Sequence, residues 1–240
     1  DGSESPGEYT GPALDLGRLW EGDACTSTAD CSATARASWS GDALYVVVHV
    51  TDDVLGAVLD PADCKRHWRT DSVEIAIDPR GTSENTSTTF KTGIFPTTTG
   101  GAPCAERDAD NHQGPVPQTA PGMTVASVVT SPYTGYTIET RIPFADLPAG
   151  VDPAHVGLDL FVYDSDTQDR TGQTRIGWST WGGVQGDPYR WGHATLAGYA
   201  DAGPTTPADP IIPVLVARSV DSPQSILQST RDRVALGGGP

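Results

Sequence analysis

Trp68 and Glu74 are the two residues of the stretch 68–79 that a core strand would not require. Val73, Ile75 and Ile77 alternate there with Ser72, Glu74, Ala76 and Asp78. A side-chain period of two sends the aliphatic set to one face of a strand and the polar set to the other. Pro79-Arg80-Gly81 ends the run, because proline donates nothing to a ladder and glycine takes the turn. A tryptophan at the strand's entrance and a carboxylate on its polar face together offer an aromatic plane and a charged acceptor, which is the first sign of a site. The plainer reading makes Glu74 a solvated outer-face residue, or the partner of Arg69.

Aspartates form a second set. Asp52-Asp53, Asp71 and the pair Asp164 and Asp166 sit at expected strand ends, where their oxygens would suit a hard cation such as Ca2+. Aspartate also terminates strands simply by capping turns. Cys25, Cys31, Cys64 and Cys104 contain no Cys-x-x-Cys pair, and no His-x-x-x-His partner follows them. Zinc is therefore disfavoured, and two disulfides in an oxidising compartment are expected. Of the three possible pairings, Cys25 with Cys31 and Cys64 with Cys104 is preferred. Each histidine (His49, His67, His112, His155 and His193) reads as a packed or exposed polar residue rather than a ligand.

The net charge of −16 repels nucleic acid, whose binding relies on Lys and Arg. The acidic surface and the two expected disulfides suit an extracellular protein. No stretch is long enough for a membrane span and none reads as a signal peptide, so a secreted chain would start after processing or be cut from something larger. There is no Gly-x-Ser-x-Gly elbow, no phosphate-cradling glycine loop and no metalloprotease helix. With 31 acidic residues, pairs of carboxylates arise by chance and mark no glycosidase.

The elements that must hold these residues are short strands. With 27 Gly and 20 Pro in 240 residues, long helices are not expected. Alternation marks strands over 33–39, 90–95, 124–130, 136–142, 156–163, 174–180 and 192–199, and an apolar run marks a central strand over 43–51. Residues 1–24 read as an edge strand and loop. Residues 96–122 read as a long loop. The fold class is all-β: a two-sheet antiparallel β-sandwich, jelly-roll-like, with a C-terminal extension. The sandwich is assigned to 1–202. Residues 203–240 are read as a linker and tail that packs on the sandwich or leads to another domain, with a strand over 211–217 and a helix starting at Ser222-Pro223 and ending near Leu236.

Several segments, taken in order, resemble the family 9 carbohydrate-binding modules of the wider DOMON-like group. They are Asp1-Gly2, Ala43 through Val48 with Thr51-Asp52-Asp53, Trp68 through Asp78, Tyr136 through Pro143, Tyr163 through Asp166, Gly177-Trp178-Ser179, and Trp191 through Leu196. The resemblance implies a sandwich with bound calcium and a slot in which two aromatic side chains clamp a sugar. A pyranose has C–H-rich faces and a hydroxyl rim, so aromatic planes above and below with charged partners at the edge would suit it.

Carried over, Trp68 is similar to the first clamp, Glu74 to a hydroxyl acceptor and Lys91 to a basic donor. The second clamp falls within 177–183. Alternation puts Trp178 on the core side with Ile176, which leaves Trp181. Trp20 and Trp39 are expected in the core. The implied role is non-catalytic binding of an oligo- or polysaccharide, as a targeting module beside a fused or associated catalytic domain. The alternative is a glycan-processing enzyme, or an integral part of a glycoside hydrolase. The haem-binding branch of the same group would use Met and His, and the one methionine, Met123, sits in a Pro-Gly-Met turn.

Overall fold

The computed structural model describes residues 1–167, 173–180, 185–199 and 232–238. Strands among them run in chain order as β1 (Leu14–Asp15), β2 (Arg18–Gly22), β3 (Cys31–Ser40), β4 (Ala43–Asp52), β5 (Ser72–Asp78), β6 (Phe90–Phe95) and β7 (Cys104–Arg107). There follow β8 (Gly114–Pro115), β9 (Thr124–Val129), β10 (Gly135–Pro143), β11 (Val156–Asp164), β12 (Thr174–Trp178), β13 (Gly192–Leu196) and β14 (Arg233–Leu236). One short α-helix, α1, covers Val116–Thr119.

The β3–β4 hairpin turns at Ser40-Gly41-Asp42, where Gly41 takes a φ of +58° that few side chains tolerate. β4 is central, as its apolar run predicts, in a sheet ordered β1-β3-β4-β10-β9. The second sheet is ordered β14-β13-β11-β5-β6-β7-β8, with β12 also paired to β11. Pairing is antiparallel except between β13 and β14. The result is a mostly-β sandwich of two sheets. Its core lies between Val46, Val48 and Ile138 on one side and Val73, Ile75, Leu158 and Leu160 on the other, all at 0% exposure.

Three expectations give way. The polar face of β5 is not solvated, for all seven of its residues are buried. The sheet is instead covered on its outer side, where Ala76, Phe161, Tyr163 and Trp191 form a second small core with the half-buried Trp20 against it. Trp20 therefore packs outside the main core, while Trp178 lies within it. Residues 96–122 are not a plain loop, since they supply β7, β8 and α1 and extend the second sheet. Arg107, 2% exposed, holds this segment by donating to Asp110, Asn111 and the Thr119 carbonyl.

The tail differs too. Arg233–Leu236 is a strand, not the end of a helix. Val234 and Leu236 point into the core and alternate with exposed Arg233 and Ala235, so the open edge of β13 selects the extended form. Beyond it, Gly237 accepts from the Trp39 amide and so ties the tail to the first sheet. The expected strand over 211–217, and the start of the expected helix, lie outside the described residues.

Both disulfides have the preferred pairing: Cys25–Cys31, and Cys64–Cys104 across 40 residues. Met123 is 6% exposed and packs in the hydrophobic core, a position that serves packing rather than haem. No helix among the described residues is long and apolar enough to cross a membrane.

Deleting residues 200–240 should therefore destabilise the sandwich. Burial of Val234 and Leu236 is worth roughly 1.5–3 kcal/mol each, so urea denaturation should show a loss of at least about 2 kcal/mol. An unchanged midpoint and slope would make the tail a passenger.

Candidate functional site

Trp68 is not on the strand it precedes but in the last turn of a 3-10 helix, Pro61–Arg69. Asp60 caps that helix by accepting from the Ala62 amide, and Pro61 pre-sets its first turn. The Cys64–Cys104 bridge ties the helix to β7. The Ser72 hydroxyl, at the start of β5, donates to the His67 carbonyl at 2.6 Å. These three ties place the adjacent His67 and Trp68 over the outer face of the second sheet. Trp68 is 36% exposed there, a large apolar side chain left open.

Beneath the helix lies a buried charged group. Glu74 is 1% exposed. Its Oε2 accepts from Tyr163 OH on β11 at 3.0 Å and faces His67 Nε2 at 2.6 Å. Its Oε1 lies 3.0 Å from Lys91 Nζ, but no hydrogen bond to that oxygen is aligned and the atom is closed to solvent. The plainer partner for Glu74, Arg69, is not the one chosen. Lys91 reaches it because β6 pairs Lys91 with Ala76 and Gly93 with Glu74.

Gly93 is the position that makes room: a Cβ there would come within 2.1 Å of the His67 ring. Burial pushes the Glu74 carboxyl up, but the Lys91 ammonium and the His67 ring outweigh it and hold it at about 2. Further along the same face, the Arg175 guanidinium lies 5.5 Å from the Tyr163 ring centre and 5.8 Å from that of Trp20. Gln185 donates to the Tyr163 hydroxyl. Trp181, expected as the opposite wall, lies outside the described residues. Size does not mark this place, because a cleft of about 640 Å³ lined by Asp78, Arg80, Glu84 and Asn111 opens elsewhere and has no aromatic face.

The aspartates gather at the end of the sandwich where β4 and β11 finish. Carboxylate oxygens of Asp52, Asp164 and Asp166 lie within 4.8 Å of one another, and so do those of Asp30, Asp53 and Asp166. Asp71 joins neither trio. Its oxygens accept instead from the Gly56 and Ser165 amides, at 2.7 and 3.0 Å, and so shape the two loops. Asp30 is the member that sequence reasoning missed. The Cys25–Cys31 bridge and the pairing of Cys31 with Asp52 bring it here, and the cysteine spacing was its one signal.

Burial, followed by repulsion from Asp52 and Asp71, pushes Asp164 up to about 8. Burial first and Asp52 second push Asp71 up to about 7. Burial raises Asp52 to about 6, against the hydrogen bond from Tyr133 at 2.6 Å. Asp164 Oδ1 is buried without a hydrogen-bond partner among the described residues. An all-oxygen donor set with an orphaned carboxylate oxygen fits a hard divalent cation.

The sign of the charge cost is testable. A raised folded pKa means that Asp164 favours folding below its unfolded value of 3.8, and that this contribution is lost as pH rises towards about 8. Asp164→Asn carries no such loss. In chelator-treated protein the variant should melt above the wild type at pH 8, by a few degrees, with the gap closing towards pH 4. A variant that melts lower at both pH values would show that the carboxylate is already compensated.

The comparisons agree with this architecture. The family model described as "Carbohydrate family 9 binding domain-like" matches residues 3–199. Two structures of a family 9 carbohydrate-binding module from Caldicellulosiruptor kristjanssonii share the fold. One, in complex with glucose, has a TM-score of 0.60 at 20% identity, over 84% of this chain and 92% of that one. The other, in complex with cellotriose, has a TM-score of 0.55 at 20% identity, over 84% and 97%. No curated protein sequence matched.

Proposed function

This chain belongs to the carbohydrate family 9 binding domain-like family, and from that premise we propose that it binds a neutral sugar chain, without turnover, at the Trp68 face of the second sheet. The observation that carries the reading is the pairing of an open aromatic plane, Trp68, with a charged acceptor and donor held beneath its neighbour His67. Trp68 stacks on the C–H face of a pyranose. Lys91 Nζ donates and Glu74 Oε1 accepts at the hydroxyl rim, two groups 3.0 Å apart that match neighbouring hydroxyls. Trp181, the second wall that the family resemblance implies, lies outside the described residues. Glu74 Oε1 is closed to solvent, so a sugar reaches it only as the side chains around it open, and Lys91 is met first. The related modules in complex with glucose and cellotriose support a glucose-based ligand.

Titration calorimetry with glucose, cellotriose and a wider sugar panel tests this. Trp68→Ala should weaken binding at least about tenfold, the scale of losing a stacked aromatic contact. Unchanged affinity in the variant would remove Trp68 from the site, and no binding to any sugar by the wild type would remove the function. Hydrolysis of a polysaccharide by the chain would favour the enzyme reading.

Calcium belongs to the same reading, as a structural ion. Asp52, Asp164 and Asp166 would hold it, with Asp53 and Asp30 beside them and Asp71 shaping the loops. The ion would supply the positive charge that these carboxylates lack, and the turn at Asp71 leads from Trp68 into β5. Removing calcium with a chelator at pH 7.5 should lower the melting temperature by several degrees, and added calcium should restore it. A melting curve that the chelator does not move would count against the ion. An ion-stabilised, disulfide-bonded sandwich with net charge −16 suits an extracellular targeting module beside a catalytic partner.

A further inference from the structure

We propose that His67 is a positioning residue of the sugar site, holding Glu74 so that one carboxylate oxygen is saturated and the other is left, with Lys91, for the ligand. The proposal rests on the sugar-site reading above and names a residue that reading does not need.

The two oxygens of Glu74 are unlike. Oε2 takes both available donors, His67 Nε2 at 2.6 Å and Tyr163 OH at 3.0 Å. Among the described residues, Oε1 takes no aligned hydrogen bond and faces the Lys91 ammonium at 3.0 Å. An ionised carboxylate only accepts, so the His67 nitrogen facing it carries the proton. The donors come from separate elements, the 3-10 helix and β11, so together they fix the rotation of the carboxylate as well as its place. Lys91 is then held on the oxygen that remains.

His67 is itself fixed from several sides. Its carbonyl accepts from the Ser72 hydroxyl at 2.6 Å. Its ring meets the Tyr163 ring at 5.1 Å and the Trp68 ring at 5.4 Å, edge to face in both cases. The ring sits in the space over β6 where residue 93 has no side chain. One side chain therefore touches both the stacking residue and the charged acceptor, and a shift of the ring displaces both. Nδ1 of the same ring is buried without a partner among the described residues.

The specificity consequence is chemical. With Oε2 saturated, the site presents one anionic acceptor and one cationic donor, which match two adjacent hydroxyls. A sugar carrying a carboxylate at that edge would meet the Glu74 charge. Among the described residues, the other charged or titratable groups around this cluster include Lys65 on the helix, Glu106 on β7, Lys91 on β6, Tyr163 on β11 and Arg175 on β12.

The test compares His67→Gln, whose amide can take the place of Nε2, with His67→Phe, which keeps a ring and loses the donor. Calorimetry with glucose and cellotriose should find His67→Gln within about threefold of the wild type and His67→Phe weaker by about tenfold or more, the scale of a hydrogen bond to a charged group. Carbon NMR of the Glu74 carboxyl gives a second readout. Its ionisation midpoint should rise by about one pH unit or more in His67→Phe, and should stay near the wild-type position in His67→Gln. A role in packing alone would lower the melting temperature of both variants and leave that midpoint in place.

Wild-type affinity for sugar in His67→Phe, with Glu74 titrating as before, would overturn the proposal while leaving the sugar site standing. Equal loss in both variants with an unmoved Glu74 midpoint would overturn it as well. Absence of sugar binding by the wild type would overturn the sugar-site reading and this one with it.

Discussion

A carboxylate taken out of water on the outer face of a sheet is the constraint on which the second layer of this protein depends. Moving an ion into a low-dielectric setting costs several kcal/mol even after relaxation. Such a group persists only where opposite charge and hydrogen bonds surround it. Glu74 has both, from Lys91, His67 and Tyr163. Supplying them requires a lysine on β6, a helix folded over β5, and a glycine at 93 to admit the histidine. Much of what distinguishes this sandwich from two sheets packed face to face follows from that requirement. The Cys64–Cys104 bridge secures the helix, and β7, the strand at its far end, extends the sheet beneath.

The end of the sandwich near Asp164 treats the same physical problem in the opposite way. Asp52, Asp71 and Asp164 are all buried, which is the first cause pushing their carboxyls up, and neighbouring aspartates, Asp166 among them, add to it. Among the described residues, no guanidinium or ammonium is brought to them as Lys91 is brought to Glu74. Their carboxyls are accordingly raised, where that of Glu74 is lowered. A buried carboxylate held down by its own cations is a finished interaction. Several raised together form an acidic cluster of the kind a hard cation would stabilise. Asp71, between Trp68 and β5 in the chain, accepts from the Gly56 and Ser165 amides at that end.

The strands were legible because alternation is a local property. The runs that became β3, β4, β5, β6, β10 and β11 all followed from side-chain period, and the bounds shifted by only a few residues. Glu74 and Lys91 were legible as residues, but their union was not, because it depends on the β5–β6 register. His67 was passed over because its neighbours in sequence do not show that a glycine 26 positions later vacates the space it fills. Asp30 stayed hidden for a similar reason, since only the β3–β4 register and a disulfide bring it to Asp53.

What the sequence determined by itself was the class of fold, the expectation of two disulfides and the residue types available for a site. Hydrophobic period, turn residues and cysteine spacing act over a few residues, and they survive in the unfolded chain. Tertiary structure decided the rest. It moved Trp20 from the expected core to a second small core outside the sheet. It made Arg233–Leu236 a strand because β13 offered an open edge. It also buried the polar face of β5 and set Glu74 among Lys91, His67 and Tyr163. In each case the outcome depends on which surface arrives opposite, and no stretch of sequence carries that information alone.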